Sequence, residues 1–218
     1  MKPLNARRES NLLKYLYYII RNTTAPFKQV LKYIPGDADI LDLGCGYGIL
    51  IDFMSAKKNN CKVTGIDINV TRIETLKEKY PHHRFIAGDV LAEAKRLYAE
   101  KAGFDCIILF DVLYLMPPEK QKELIHIASR LLRPSGVFLI KEMDTEARLR
   151  FSFSYLQEFF SVKVMKITKG DGLYFMSKED ISGELCANNM QTEIIKMGSI
   201  FHPHTLIIGR KPREVFHG

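Results

Sequence analysis

The chain has 218 residues, 46% of them hydrophobic and 26% charged, a balance that excludes a disordered protein and suits one α/β domain with modest additions. Its net charge of +7 is compatible with an anionic partner. The basic residues are spread along the chain with no run of five, which favours a solvated surface and argues against a nucleic-acid partner.

The four cysteines argue for a reducing compartment. Cys45, Cys61, Cys106 and Cys186 are far apart and form no C-x-x-C pair. A disulfide framework and a zinc site are both disfavoured, so the sequence predicts a cytoplasmic protein without a metal.

Residues 1–35 form a predicted helical extension. Its apolar stripe consists of Leu12, Leu13, Leu16, Ile19 and Ile20. The uninterrupted apolar run 15–20 is too short for a signal-peptide core or a bilayer span. The pattern favours a helix packed on the domain. Alternative roles of this helix are a lid over a substrate-binding site or a peripheral contact with a membrane surface.

From residue 39 onward, short β-rich runs alternate with amphipathic segments of helical length. This pattern is typical of a parallel sheet with helices on both faces. The predicted strands are 39–43, 62–67, 83–87, 104–110 and 136–141. The predicted helices are 47–57, 70–79, 90–101 and 118–132, the last ended by the stop signal Arg133-Pro134-Ser135-Gly136.

The rhythm changes after residue 141. Segment 145–161 has apolar residues at helical spacing, and Ser177 with Asp180 forms a predicted capping box that begins a helix reaching about residue 189. We interpret 145–190 as a helical insert over the acceptor site. Two further strands, 191–197 and 204–210, are predicted on either side of a loop that holds His202, Pro203 and His204.

The most specific motif is ILDLGCGYG, in which an apolar strand runs into glycines 44, 46 and 48 and then into a helix. Glycine lets the backbone turn tightly and lets a ligand approach closely. The dinucleotide fingerprint needs its third glycine at position 49, which is Ile49. Asp42 also precedes the turn, where a carboxylate suits a cationic amino-acid group better than a pyrophosphate. The spacing therefore points away from NAD.

Acidic residues follow the next two strands. Asp67 ends the second strand, where a carboxylate can accept hydrogen bonds from ribose hydroxyls, and Asp89 follows the third, where it can meet an adenine amino group. Each residue has an alternative role as a helix N-cap, and Asn69 is a second candidate for the cap after Asp67. Asp42, Asp67 and Asp89 lie at the carboxyl ends of three successive strands, and this arrangement favours a shared role in ligand binding over three separate capping roles.

The motifs ILDLGCGYG, VTGIDIN, FIAGDV, FDCIILFDVLYLMP and LLRPSGVFLIKEMD together resemble those of class I S-adenosylmethionine-dependent methyltransferases over residues 36–144. The resemblance implies a Rossmann-like, doubly wound α/β fold for residues 36–218. Its seven-stranded sheet would be mostly parallel, in the order 3-2-1-4-5-7-6, with an antiparallel last strand.

The resemblance also implies the cofactor S-adenosylmethionine and a set of contacts to it. Asp42 and the turn residues Gly44, Cys45, Gly46 and Tyr47 would surround its methionine part, and Asp67 would hold the ribose. The adenine would contact Ile68, Asp89 and Val90. The sulfonium would lie between Phe110 and Asp111.

Three sets of residues are candidates to act on the acceptor, all at the carboxyl ends of strands. They are Asp111 with Tyr114, Glu142 beside Asp144, and His202 with His204. The loop Asp111-Val112-Leu113-Tyr114 departs from the proline-rich motif of base-methylating relatives and resembles the branch that acts on small molecules and lipids.

The sequence thus predicts an enzyme that transfers a methyl group to a small-molecule or lipid-like acceptor by in-line displacement. The aromatic residues of the insert would cover a greasy acceptor. The alternatives are an RNA or protein methyltransferase and a non-catalytic S-adenosylmethionine-binding protein.

Overall fold

The computed structural model describes residues 27–56, 60–143, 174–199 and 202–213. Its strands are β1 (Asp39–Leu43), β2 (Lys62–Asp67), β3 (Arg84–Ala87), β4 (Phe104–Phe110), β5 (Leu132–Met143), β6 (Gln191–Ser199) and β7 (His202–Arg210). They form one sheet in the order β3-β2-β1-β4-β5-β7-β6. The first five strands pair in parallel, and β7 is antiparallel to both of its neighbours. The Rossmann-like α/β fold and the predicted strand order are confirmed.

The helices of the described ranges are α1 (Phe27–Val30), α2 (Ile49–Ala56), α3 (Val70–Lys79), α4 (Val90–Ala99), α5 (Pro118–Leu131) and α6 (Lys178–Ala187). Three begin at side-chain caps in which Asn69, Asp89 and Ser177 accept the backbone N–H three residues ahead. The predicted helix start at Ser177 is therefore confirmed, and the Ser177 hydroxyl also donates to Oδ2 of Asp180 at 2.7 Å. In the described part of the chain, no helix is both long and apolar enough to cross a membrane.

Alternation along the buried strands distributes the core over both faces of the sheet. In β4, Cys106 and Ile108 belong to the cluster that includes α1, α2 and α3, whereas Ile107 and Leu109 belong to the cluster with α4, α5 and α6. All four side chains are fully buried. Each such aliphatic side chain contributes about 2 kcal/mol relative to exposure, so these layers hold the strand ends in fixed positions.

The strand order reverses between β1 and β4, which lie side by side although β2 and β3 separate them in the chain. Ligands bind at such a switch point, outside the carboxyl ends of the parallel strands. We call the edge formed by the carboxyl ends of β1 to β5 the carboxyl edge. Asp42, Asp67, Asp111 and Glu142 all lie at or beside it.

Two sequence-based expectations differ from the structure. Strand β5 begins at Leu132 rather than 136, because residues 132–136 continue along β4 through a register shift, with Ser135 in a left-handed conformation (φ 63°). The histidines lie within β7 rather than in a loop, because its pairing with β6 extends to His202 opposite Ser199. The predicted stripe 12–20, the predicted helix 145–161 and Asp144 lie outside the described residues.

Candidate functional site

The turn after β1, residues 44–48, is called the glycine turn. Gly44, Gly46 and Gly48 have φ values of 87°, 56° and 73°, a region that other residues adopt at an energetic cost. The amides of Gly44 and Cys45 donate to the carbonyl of Ile66 at 2.8 and 3.0 Å. The glycine turn is therefore anchored to β2.

The three glycines serve different purposes. A Cβ on Gly44 would lie 2.4 Å from Cγ2 of Val112, and one on Gly48 would lie 2.6 Å from Cδ2 of Leu76. These two glycines are needed for packing within the protein. A Cβ on Gly46 would meet nothing closer than 4.0 Å, so this backbone faces open space. Gly46 is the position at which a ligand can approach the main chain.

Asp42 lies in β1, two residues before the glycine turn, and is 5% exposed. Burial, and secondarily the charge of Asp67, raises the pKa of Asp42 from 3.8 to about 7. Desolvation disfavours the ionised carboxylate, and a cationic ligand would restore it. The residue therefore fits the ammonium or sulfonium charge of an amino-acid-containing ligand.

Asp67 supplies a second carboxylate at the tip of β2. It accepts hydrogen bonds from the amides of Gly46 at 3.0 Å and Asn69 at 2.8 Å, one on each oxygen. A carboxylate has about four acceptor positions, so each oxygen keeps capacity for another donor. Asn69 performs the N-cap role of α3. Asp67 is thus held in place by the glycine turn and Asn69, and its contact with a ribose remains a prediction.

An apolar shelf continues from Asp67. Ile68 is 56% exposed and Val70 is 61% exposed, and such exposure at the carboxyl edge fits the face of an adenine ring. Asp89 caps α4 by accepting the amide of Ala92 at 2.9 Å, which confirms the capping alternative. The contacts of Ile68, Asp89 and Val90 with adenine remain predictions.

The segment after β4, residues 111–116, is called the β4 loop, and it is clamped to β5. The Nζ of Lys141 donates to both carboxylate oxygens of Asp111 at 2.8 and 2.7 Å, and the Asp111 amide donates to the Lys141 carbonyl at 2.9 Å. Asp111 adopts a φ of 57°, and Lys141 is 1% exposed. This buried pair, which lies on the α1–α3 face near Phe110, holds a left-handed residue at the start of the loop.

Glu142 holds the same loop from the opposite face of the sheet. Its Oε1 accepts the amides of Leu113 at 3.0 Å and Val112 at 3.3 Å. Burial, followed by the charge of Asp111, raises the pKa of Glu142 to about 8, although both amide hydrogen bonds oppose that shift. These contacts describe a side chain that positions the loop. Its predicted role as a base remains a prediction.

Tyr114 is turned into the protein. Its ring is buried and stacks on Phe175 with centroids 5.4 Å apart, and its carbonyl accepts the amide of Tyr174 at 2.9 Å. Gln121 joins the same segments, because its Nε2 donates to the carbonyls of Met116 and Tyr174 at 2.8 and 2.7 Å. Hydrogen bonds and ring stacking therefore hold residues 174–176 against the β4 loop.

The remaining candidates lie farther along the sheet. His204 is half-buried and sits opposite Met143 in the pairing of β5 with β7. It therefore lies level with the carboxyl end of β5, one strand beyond Glu142. The side chain of His202 lies outside the described residues. The described residues contain no group of three or more potential metal ligands.

Sequence reasoning missed Lys141, Gln121 and Arg72. A lysine at the end of the apolar run VFLIK was a usable signal, since alternation places it on a buried face of β5. The roles of Gln121 and Arg72 depend on contacts between distant segments, so no local pattern indicates them.

Comparison with known proteins agrees with this geometry. Residues 40–136 match the family described as a methyltransferase domain. A tRNA N(3)-methylcytidine methyltransferase (Mettl2) of Drosophila melanogaster is 28% identical over 165 residues, which are 71% of this chain and 49% of the relative. The tRNA N(3)-cytidine methyltransferase METTL2B of Homo sapiens is 32% identical over 154 residues, 65% of this chain and 39% of the relative.

A relative of another kind is the trans-aconitate 2-methyltransferase of Paracidovorax citrulli, 27% identical over 123 residues, 56% of this chain and 45% of the relative. The chain thus spans no more than about half the length of these three relatives.

Solved structures share the fold at low sequence identity. A SAM-dependent methyltransferase from Archaeoglobus fulgidus superposes with a TM-score of 0.64 at 15% identity, covering 89% of this chain and 99% of that one. The magnesium protoporphyrin IX methyltransferase of Synechocystis PCC 6803, with bound SAH, gives 0.59 at 19% identity, covering 85% and 80%.

Proposed function

This chain carries a class I S-adenosylmethionine-dependent methyltransferase domain, and on that premise we propose that it transfers a methyl group to an acceptor held beside the β4 loop. The observation that supports this most is the arrangement of Asp42, Gly46 and Asp67. Asp42 is a buried carboxylate with a raised pKa, Gly46 leaves open space at the backbone, and Asp67 is a second carboxylate held by backbone amides. All three lie on one edge of the sheet.

Each part of this arrangement has a task. Asp42 offers its charge to the cationic amino-acid part of the cofactor, Gly46 lets it approach the main chain, and Asp67 accepts from its ribose hydroxyls. S-adenosylmethionine supplies an electrophilic methyl group when bound. The protein then contributes mainly alignment, because a well-oriented acceptor removes much of the entropic barrier.

Alignment is the task of the β4 loop. Lys141 holds Asp111 from one face of the sheet, and Glu142 holds Val112 and Leu113 from the other. Val112 packs against Gly44, so the loop and the glycine turn are in direct contact. An acceptor resting on this loop is therefore fixed relative to the cofactor. We infer that Glu142 acts through this loop and that no step requires it to take a proton.

The Glu142→Gln variant tests this role. Glutamine keeps an oxygen that can accept the two amides but cannot serve as a carboxylate base. We expect turnover within about threefold of wild type at neutral pH, since loss of general-base catalysis costs about 100-fold or more. Glu142→Leu removes the acceptor atom and should lower turnover more than Glu142→Gln. A 100-fold loss of turnover in Glu142→Gln, with unchanged cofactor affinity, would instead show that Glu142 acts as a general base.

The proposed acceptor is a small organic or lipid-like molecule. The loop Asp111-Val112-Leu113-Tyr114 departs from the proline-rich motif of base-methylating relatives, which favours an acceptor of this class. A relative named for trans-aconitate, a small carboxylic acid, supports an acceptor of this size.

A tRNA cytidine is the second candidate, and two relatives named for tRNA N(3)-cytidine support it. They weigh against the expectation, drawn from the charge distribution, that nucleic acid is not a partner. The charge of +7 is compatible with RNA binding, which would weaken as salt concentration rises.

One series of assays tests the function and then separates the acceptors. Calorimetry with S-adenosylmethionine, S-adenosylhomocysteine and NAD comes first, and we expect binding of the first two only. Radiolabelled methyl donor is then incubated with total tRNA, a lipid extract or a panel of small carboxylic acids and amines. Label in a small molecule or lipid supports the proposal, and label only in tRNA replaces it with the second candidate. Binding of NAD in place of S-adenosylmethionine would overturn both.

A further inference from the structure

Arg72, in the first turn of α3, contacts both parts of the cofactor site. Its guanidinium Cζ lies 4.6 Å from the centroid of the Tyr47 ring in the glycine turn. Its Nη1 lies 3.8 Å from Oδ1 of Asp67 at the tip of β2. The backbone of Arg72 is also fixed, because its amide donates to Asn69 Oδ1 at 3.0 Å.

The ion pair with Asp67 is long, and each carboxylate oxygen accepts one backbone amide, from Gly46 or Asn69. Arg72 therefore adds positive charge beside Asp67 at more than hydrogen-bond distance, so it leaves acceptor capacity on both oxygens.

Arg72 is a poor choice for stability alone. Its Nε is buried and has no hydrogen-bond partner among the described residues. An unsatisfied buried N–H opposes folding, and such groups call for another explanation. A methionine of similar length would pack the same aliphatic stem without that penalty. The presence of arginine at position 72 is therefore better explained by its contacts with Tyr47 and Asp67, which position those two side chains.

We propose that Arg72 is a positioning residue of the cofactor site, which holds the Tyr47 ring and the Asp67 carboxylate in the arrangement that receives the ribose. It acts on the cofactor through these two residues, and its contribution falls on binding rather than on the chemical step. The inference rests on the proposed function, since it concerns the same cofactor.

The test compares Arg72→Met with Arg130→Met, a matched control. Arg130 also lies over a tyrosine ring, with its Cζ 5.1 Å from the centroid of Tyr98, but it is exposed on α5. In Arg72→Met we expect the Kd for S-adenosylhomocysteine and the KM for S-adenosylmethionine to rise about tenfold, because the Tyr47 ring and the Asp67 carboxylate are then no longer held in the arrangement that binds the cofactor. The kcat and the melting temperature should stay close to those of wild type, because removal of the unpaired Nε offsets the two lost contacts. Arg130→Met should bind as wild type does.

A double-mutant cycle with Asp67→Ala checks the route of the effect. If Arg72 acts through Asp67, Arg72→Met should weaken binding much less in the Asp67→Ala background than in wild type. Equal effects of Arg72→Met in wild type, in Asp67→Ala and in Tyr47→Leu would overturn the proposal, as would a lowered melting temperature with unchanged Kd in Arg72→Met. Absence of S-adenosylhomocysteine binding in wild type would instead contradict the proposed function, so the two failures are distinguishable.

Discussion

Replacing Asp42 by asparagine should stabilise the fold at alkaline pH while weakening cofactor binding. Burial raises the pKa of Asp42 from 3.8 to about 7. The unfolded chain loses this proton near pH 3.8, whereas the folded chain keeps it until about pH 7. Stability therefore falls as pH rises through that window and is level above it. A shift of about three pH units corresponds to about 4 kcal/mol.

Asparagine has nearly the same shape and does not ionise, so Asp42→Asn escapes this loss. The difference in unfolding free energy between variant and wild type should be near zero at about pH 4 and should grow toward about 4 kcal/mol at about pH 8. Urea unfolding at a series of pH values measures it. Because Glu142 also titrates in the folded state, the difference between the two proteins isolates Asp42.

Asp37→Asn is the matched control. Asp37 is exposed and has a φ of 53°, a conformation that asparagine adopts as readily as aspartate. Its stability difference from wild type should be small at every pH. A pH-independent difference for Asp42→Asn, or a variant less stable than wild type at pH 8, would refute the argument that Asp42 is a desolvated carboxylate.

Four further predictions concern the same edge of the sheet. Cofactor affinity in wild type should fall by up to about tenfold per pH unit below pH 7, because binding to ionised Asp42 releases its proton; calorimetry that finds a level profile would contradict this. Gly46→Ala should cost only about 1–2 kcal/mol for its left-handed conformation yet weaken cofactor binding. Gly44→Ala should unfold at a lower temperature, because its Cβ would clash with Val112. The double variant Gly44→Ala with Val112→Ala should recover part of the lost stability. Equal melting temperatures for Gly44→Ala and Gly46→Ala would be inconsistent with this packing. Lys141→Met should lower the free energy of unfolding by about 3–5 kcal/mol, since it leaves the largely buried Asp111 carboxylate without the Nζ. A urea midpoint equal to that of wild type would argue against the clamp.

Much of the fold could be predicted because its signals are local. Strand β1 and helix α3 have the predicted bounds, since a short β-rich run and an amphipathic pattern of helical period each lie within one segment of the chain. The bounds of β5 could not be predicted in this way. Its first residues pair across a bulge with β4, and that pairing depends on a segment distant in the chain.

The candidate site divides in the same manner. Asp42, Gly46 and Asp67 were recognisable because the ends of neighbouring parallel strands must meet at one edge. The pairing of Lys141 with Asp111, the amide contacts of Glu142 and the bridge of Arg72 to Tyr47 were not recognisable. Each joins side chains from separate elements, and their distances are set by packing.

The sequence by itself determined the type of fold and the chemical character of its ligand edge, because strand periodicity, glycine spacing and acidic strand ends are local properties of the chain. Only the tertiary structure decided which glycine faces open space, which carboxylate is desolvated and which side chain holds the β4 loop. Exposure, pKa and contact are properties of the folded surroundings, and residues far apart in the chain create them together.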